Sequence, residues 1–222
     1  MIPVGAFIFD LDGTLIDPRL DLAGAVNAAL AAAGRRPLPV ERIAAYVGDG
    51  VHKLLARAFD LPAEADRPEA LAGPLAGALA VFRAHYREHC LDHTRLYPGV
   101  LETLDHFRDK AHAVVSNKPE DFSRLIVDRL GLGRYIRVVV GGGSAPALKP
   151  DPAPVRLALE RLEVDAARAV MVGDGLTDLE AGRRAGLRTC AVVYGIGDPS
   201  VLAGAHPDHL LRTFAELRDL FI

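Results

Sequence analysis

Apolar residues follow one another along this chain in two rhythms. Five short stretches are apolar almost without interruption and end in polar residues or glycine: "GAFIFD" (5–10), "AHAVVSN" (111–117), "IRVVVGGG" (136–143), "RAVMVGD" (168–174) and "RTCAVVYG" (188–195). A strand with one wet face alternates apolar and polar residues, so unbroken runs predict strands buried on both faces, as in a parallel sheet covered by helices. Between the runs the spacing becomes helical. Val100, Leu101, Leu104 and Phe107 share a face, as do Phe122, Leu125, Ile126 and Leu130 ahead of a stop at Gly131. Pro152 and Pro154 open a further helix that continues through Val155, Leu159 and Leu162. Strands alternating with helices predict an α/β fold with a doubly wound parallel sheet.

One long segment breaks the alternation. Residues 18–93 hold helical patterns and no convincing strand. Leu22, Val26, Leu30 and Ala33 recur at helical spacing before Gly34, Val51, Leu54, Leu55 and Ala58 repeat the pattern, and Leu75, Leu79, Phe82 and Tyr86 form a third set. The Gly73–Pro74 pair is expected to break the run ahead of that set. Two domains are therefore predicted, an α/β core of residues 1–17 and 94–222 and an all-helical insert of residues 18–93. An insert that follows the first strand directly is expected over the carboxyl edge of the sheet. Open α/β sheets bind ligands at that edge, so the insert is placed to act as a lid.

The polar residues at the strand ends carry the chemistry. The first strand delivers Asp10 and Asp12, two residues apart, to the glycine turn at Gly13. The second delivers Ser116, Asn117 and Lys118, the fourth delivers Asp174 with Asp178 four residues on, and Lys149 lies in the loop "ALKPDP" after the third. Converging carboxylates repel one another unless a cation neutralises them. Ligands that are all oxygen suit a hard ion, and Mg2+ is the usual choice where phosphate is handled. A lysine and a hydroxyl aimed at the same point suit a dianionic phosphoryl group. Two carboxylates then have two tasks, attack on phosphorus and proton transfer to and from the departing and entering oxygens. A calcium loop does not explain the first pair, because an EF-hand places its glycine sixth and follows a helix.

Composition narrows the partners. The formal net charge is −3, and the basic residues are scattered, so neither nucleic acid nor an anionic membrane is indicated as a partner. No apolar run approaches the length of a membrane span and no basic leader precedes the first strand, which predicts a soluble, cytoplasmic protein. Cys90 and Cys190 are the only cysteines, lie in apolar surroundings, and read as buried thiols. His85, His89 and His93 have i, i+4 spacing without an accompanying carboxylate motif, and with His106, His112, His206 and His209 they read as surface or linker residues. "YGIGDPS" has a GxG after a strand but lacks the third glycine of a dinucleotide fingerprint.

Taken together, "DLDGT" (10–14), "SNK" (116–118), "KPDP" (149–152) and "GDGLTD" (173–178) resemble, in order, the four signature motifs of haloacid dehalogenase-superfamily phosphatases. That resemblance implies a Rossmann-like core with a helical cap inserted between the first and second motifs. It implies Asp10 as nucleophile and metal ligand, Asp12 as general acid/base with its carbonyl on the metal, and Ser116, Asn117 and Lys149 around the phosphoryl group. Asp174 completes the metal site, Asp178 supports it from behind, and Thr14 steadies the turn. Asp178 is equally explained as a carboxylate in a helix first turn, favoured by the dipole. Gly175 departs from the serine that many relatives carry after the metal aspartate. An aspartate at position 12 is similar to phosphatases and phosphomutases rather than to ATPases or phosphonate hydrolases of the superfamily.

The wider text, "YVGDGVHKLL" (46–55), "LYPGV" (96–100), "VVGGGSAPALKPDPAP" and "VYGIGD", resembles bacterial phosphoglycolate phosphatases. By that likeness the reaction is Mg2+-dependent hydrolysis of a small phosphorylated metabolite, 2-phosphoglycolate first. Alternatives are a sugar phosphate such as N-acetylmuramate 6-phosphate, a phosphomutase, and last a silent phosphate-binding regulator. Gly48, Gly50, His52 and Lys53 in the insert are candidates for substrate contact through amides at a helix start, or else only turn one helix into the next.

Overall fold

The computed structural model describes residues 1–62 and 74–222. In chain order it has β1 (Ala6–Phe9), β2 (Ile16–Asp17), α1 (Arg19–Ala32), α2 (Val40–Ala44), α3 (Val51–Ala58), α4 (Pro74–His89) and β3 (Arg95–Leu96). Then follow α5 (Val100–His106), β4 (Ala111–Pro119), α6 (Glu120–Arg129), β5 (Val138–Gly142), α7 (Ala153–Leu162), β6 (Ala169–Gly173), α8 (Leu176–Ala185), β7 (Arg188–Val192), α9 (Pro199–Gly204), β8 (His209–Leu211) and α10 (Leu217–Leu220). The chain divides into two compact units, Met1–Asp17 with Leu96–Ile222, and Pro18–Arg95.

The first unit is the predicted α/β fold. Its sheet has six strands in the order β5-β4-β1-β6-β7-β8, and every neighbouring pair is parallel. The five apolar runs form β1, β4, β5, β6 and β7, and β1 and β6 are buried along their whole length. Alternate residues of a strand point to opposite faces, and here both faces are apolar. Ala6 and Ile8 join Ala113, Val115 and Met171 beneath Val155, Ala158, Leu159 and Leu162 of α7 and Ala181 of α8. Phe7 and Phe9 point the other way, Phe7 towards Phe107 and Phe221 and Phe9 towards Phe214.

That second face corrects one expectation. His112 is not a surface residue but 1 % exposed. It lies on β4 opposite Phe7, with its ring 5.8 Å from those of Phe7 and Phe9. Burial, assisted by the charge of Arg137, pushes its pKa down to about 4, so it is a neutral core side chain. The strand β8 had no counterpart in the sequence reading. It is three residues long, sits at the sheet edge against β7 alone, and leaves Leu210 exposed.

Strand order explains where chemistry is possible. From β1 the sheet grows on one side to β4 and β5, and on the other to β6, β7 and β8. The connections reverse direction at β1, and a crevice opens at the carboxyl ends beside such a switch point. Phe9, the last residue of β1, registers with Val114 of β4 and Val172 of β6. The residues that follow these three registered positions therefore come out side by side.

In the second unit the described elements before Arg95 are helices. α1 buries Leu22, Ala23, Ala25, Val26, Ala29 and Leu30, whereas Ala33, expected on the same face, is exposed where the helix ends. α3 buries Leu54, Leu55 and Ala58, and α4 buries Leu75, Phe82 and Tyr86, the last two stacked at 5.5 Å. The expected break at Gly73–Pro74 lies outside the described residues, which resume at Pro74. Asp21, in the first turn of α1, accepts hydrogen bonds from the backbone N–H of His93 (3.0 Å) and Thr94 (2.8 Å) and from Thr94 Oγ1 (2.7 Å), tying the start of the unit to its end. Among the described residues no helix is long and apolar enough to cross a membrane.

Candidate active site

Backbone bonds hold the loop after β1 on two sides: Asp10 N–H donates to Val172 O of β6 at 2.9 Å, and Gly13 N–H to Ile16 O of β2 at 2.8 Å. Gly13 has φ 86°, and a Cβ there would collide with the Asp174 carboxylate. Glycine at this turn is thus required twice, by conformation and by the close approach of an acidic side chain.

Three carboxylates meet at this edge. Single oxygens of Asp10, Asp174 and Asp178 lie within 4.8 Å of one another, and all three residues are buried. Lys149 reaches into the group from the loop after β5. Its Nζ donates to Asp10 Oδ1 at 2.7 Å, to Asp178 Oδ1 at 2.6 Å and to Val115 O at 2.5 Å. Burial alone would lower the ammonium's pKa, but Asp10 and Asp178 outweigh it and hold it above its ordinary value. The lysine is fixed in turn by Asn117, whose amide bridges the Lys149 backbone, accepting from its N–H at 2.8 Å and donating to its C=O at 2.9 Å. Asn117 therefore acts on the site through Lys149. Ser116 is 5 % exposed at the end of the same strand.

Asp174 is the most constrained member. Its Oδ2 accepts from the backbone N–H of Ile196 (2.8 Å) and Gly197 (3.2 Å), and its Oδ1 accepts from Thr14 Oγ1 at 3.2 Å. A Cβ on Gly197 would run into the Asp174 carbonyl oxygen, so glycine lets this loop lie against the aspartate. Tyr194 braces the same turn, donating to Thr14 O at 2.8 Å. Burial first, and then the charges of Asp10 and Asp178, push the Asp174 carboxyl up to about 7. Asp178 is also pushed up by burial, against the opposing charge of Lys149. Both of its oxygens are engaged, Oδ1 by Lys149 and Oδ2 by Gly175 N–H at 2.9 Å.

Asp12 stands apart from the cluster. Its Oδ2 accepts from Lys118 Nζ at 2.7 Å, while its Oδ1 is buried and without a hydrogen-bond partner. Burial raises its pKa despite the nearby lysine. Lys118, Tyr194 and the amides of residues 196 and 197 are contributors that the sequence reading did not assign. Lys118 stands within a quoted motif, and the GxG after β7 belongs to the resembling stretch "VYGIGD" without matching a dinucleotide fingerprint. Gly48, Gly50, His52 and Lys53 belong to the helical unit at the start of α3, where Gly48 and Gly50 have φ 118° and 92°. His52 is half-buried, its Nδ1 lacks a partner, and burial with the charge of Arg83 lowers its pKa.

Comparison with known proteins gives the family. A family model described as haloacid dehalogenase-like hydrolase matches residues 4–186. The chain is 38 % identical over 222 residues to a phosphoglycolate phosphatase of Chromobacterium violaceum, covering 98 % of this chain and 96 % of that protein. It is 37 % identical to a phosphoglycolate phosphatase of Neisseria meningitidis, covering 96 % of this chain and 92 % of the relative. Among solved structures, a predicted phosphoglycolate phosphatase from Haemophilus somnus superimposes with a TM-score of 0.88 at 27 % identity, covering 99 % of both chains.

Proposed function

The chain belongs to the haloacid dehalogenase-like hydrolases and is a phosphoric monoester hydrolase, and from that premise we propose that it hydrolyses 2-phosphoglycolate to glycolate and phosphate through an aspartyl-phosphate on Asp10. The observation that carries this reading is the meeting of Asp10 with Lys149, Asp174 and Asp178 at the switch point of the sheet, with Asp12 two residues beyond the nucleophile.

The site fits a hard divalent cation. Three buried carboxylates offer oxygen donors within 4.8 Å of one another, and the Lys149 ammonium bonds two of them, Asp10 and Asp178. Asp10, Asp174 and the Asp12 carbonyl would hold Mg2+, with Asp178 orienting Lys149 and the helix start, to which its two oxygens are hydrogen-bonded. When bound, the ion supplies the charge neutralisation that lets a carboxylate approach a phosphate dianion.

The protein's own groups carry the reaction. Lys149 donates towards the Asp10 carboxylate, and in this reading it turns an N–H to a phosphoryl oxygen as negative charge builds. Ser116 at the end of β4 offers a hydroxyl to the same group. A carboxylate oxygen of Asp10 bonds to phosphorus while the ester bond breaks, and Asp12 gives a proton to the departing alkoxide. Water then attacks phosphorus, Asp12 takes its proton, and the Asp10–phosphorus bond breaks. We place Gly48, Gly50, His52 and Lys53 of the helical unit among the groups that contact the substrate.

The experiment is phosphate release measured across a panel of 2-phosphoglycolate, sugar phosphates including N-acetylmuramate 6-phosphate, and other small esters, ranked by kcat/KM. 2-Phosphoglycolate is expected to lead. A sugar phosphate at the head of the ranking replaces the substrate and keeps the chemistry. Asp10→Asn is expected to abolish turnover with the fold intact; retained turnover removes Asp10 as nucleophile.

A further inference from the structure

The mechanism above uses Lys149 and gives no task to a second buried lysine. Lys118 is the third residue of the "SNK" motif, and its side chain is only 4 % exposed. An ammonium is costly to bury unless it is paired, and the partner found 2.7 Å from Nζ is Asp12 Oδ2. The contact is one-sided. Asp12 Oδ1 is buried as well and has no hydrogen-bond partner. A buried carboxylate oxygen left unsatisfied is unusual in a well-packed protein and asks for a ligand or a proton.

A carboxyl group carries its proton on either oxygen, and for proton transfer to a fixed point the choice matters. A lysine donating into Oδ2 occupies that oxygen with hydrogen that cannot be shared further. The proton of the acid form is then confined to Oδ1. We propose that Lys118 is a positioning residue for Asp12: its ammonium fixes Oδ2 and makes Oδ1 the oxygen that exchanges protons with the reacting groups. This inference rests on the proton-handling role proposed for Asp12.

As the Asp10 oxygen bonds to phosphorus, the ester P–O bond breaks and its electron pair stays on the leaving oxygen, which takes the proton from Oδ1. Asp12 is then a carboxylate facing Lys118, the charge state in which the ion pair is strongest. In the second step the water oxygen bonds to phosphorus, Oδ1 takes its proton, and the electron pair of the Asp10–phosphorus bond returns to Asp10. Lys118 keeps its protons throughout.

A lysine that merely fastened the end of β4 would support every substrate alike, so the leaving group tells the two roles apart. 4-Nitrophenyl phosphate releases a stabilised phenolate that needs little protonation, whereas 2-phosphoglycolate releases an alkoxide that needs a proton. General acid catalysis contributes about 10²–10⁴-fold where it is needed. Lys118→Met is expected to lower kcat on 2-phosphoglycolate by roughly 30-fold or more and on 4-nitrophenyl phosphate by less than about 3-fold, part of that acid contribution. Lys118→Arg should recover much of the loss. Asp12→Asn, measured alongside, should show the same selectivity between esters. Equal losses on both esters, no loss on either, or a loss confined to KM would overturn the assignment of Lys118 while a selective Asp12→Asn left the chemistry standing. An Asp12→Asn enzyme that lost both esters equally would remove the proton-handling reading and this inference with it. Should Lys118→Met fail to fold, Lys118→Gln carries the same comparison.

Discussion

Each unit of the molecule buries a carboxylate near a chain turn, and the two are treated in opposite ways. Asp21 of the helical unit is 4 % exposed and Asp174 of the sheet unit is 6 % exposed. Both accept several hydrogen bonds, Asp21 from His93 and Thr94 and Asp174 from Ile196, Gly197 and Thr14. For Asp21, burial works to raise the pKa and the bonds from Thr94 and His93 outweigh it, so the carboxyl is held below its ordinary value. For Asp174 burial wins, reinforced by Asp10 and Asp178, and the carboxyl is pushed up to about 7. Hydrogen bonds satisfy lone pairs, but only opposite charge offsets like charge. Asp21 is complete within the fold. Asp174 belongs to a group short of positive charge, and the shortage is what a bound cation would relieve.

The sharpest way to break this comparison is to deepen the shortage. Lys149→Met removes the one ammonium that touches both Asp10 and Asp178. Breaking a buried pair by deleting one partner costs about 3–5 kcal/mol, and losing a preorganised donor costs about 10²–10³-fold in kcat. Steady-state assays and thermal unfolding of the metal-free variant read both effects. A variant as stable as the parent without metal would mean that the cluster carries no unbalanced charge. Asp174→Asn works in the other direction, because it relieves repulsion while removing a metal ligand. Its metal-free form is expected to be as stable as the parent or more so. Millimolar Mg2+ should raise the parent's Tm by several degrees, as about 2–3 kcal/mol of binding linkage would, and leave the variant's Tm unmoved. An equal shift in both would exclude Asp174 as a ligand.

These residues differ in how visible they were in the sequence. Asp10, Lys149, Asp174 and Asp178 stand at the ends of uninterrupted apolar runs or in short motifs, and strand order then had only to bring those ends together. The parallel sheet was legible for the same reason, since a run such as "RAVMVG" suits no surface strand. Lys118 was harder. Its neighbours Ser116 and Asn117 attract attention, while a lysine after a strand reads as solvated until the position of Asp12 is known. The amides of Ile196 and Gly197 have no side-chain signature, and only the tight approach of Gly197 to Asp174 accounts for the glycine. His112 was misread because one histidine in "AHAVVSN" does not reveal that its face is filled by Phe7 and Phe9. β8 was missed because three residues with an exposed leucine at a sheet edge offer no periodicity.

The completed carboxylate offers the smaller effects, and they test the other half of the comparison. Asp21→Ala leaves the N–H groups of His93 and Thr94 without their acceptor, and is expected to destabilise the protein by about 2–3 kcal/mol, the loss of charge-assisted hydrogen bonds together with unsatisfied buried donors. Denaturant unfolding measures it, and a change below about 0.5 kcal/mol, the range of ordinary surface substitutions, would demote Asp21 to a surface side chain. The pH dependence follows with a definite sign. The folded pKa of Asp21 lies below its ordinary 3.8, so between the two values the unfolded chain binds more protons and stability rises with pH. Its contribution is present above 3.8 and disappears as pH falls through the folded value. Asp174, raised to about 7, has the reverse sign in the metal-free protein: its contribution is present below 3.8 and fades as pH climbs to 7. Unfolding curves of parent, Asp21→Asn and Asp174→Asn collected without metal from pH 3 to 8 separate the two. Asp21→Asn should flatten only the acid limb, and Asp174→Asn only the fall between about pH 4 and 7. If both variants flattened the same limb, the two carboxylates would not differ in how their charge is balanced.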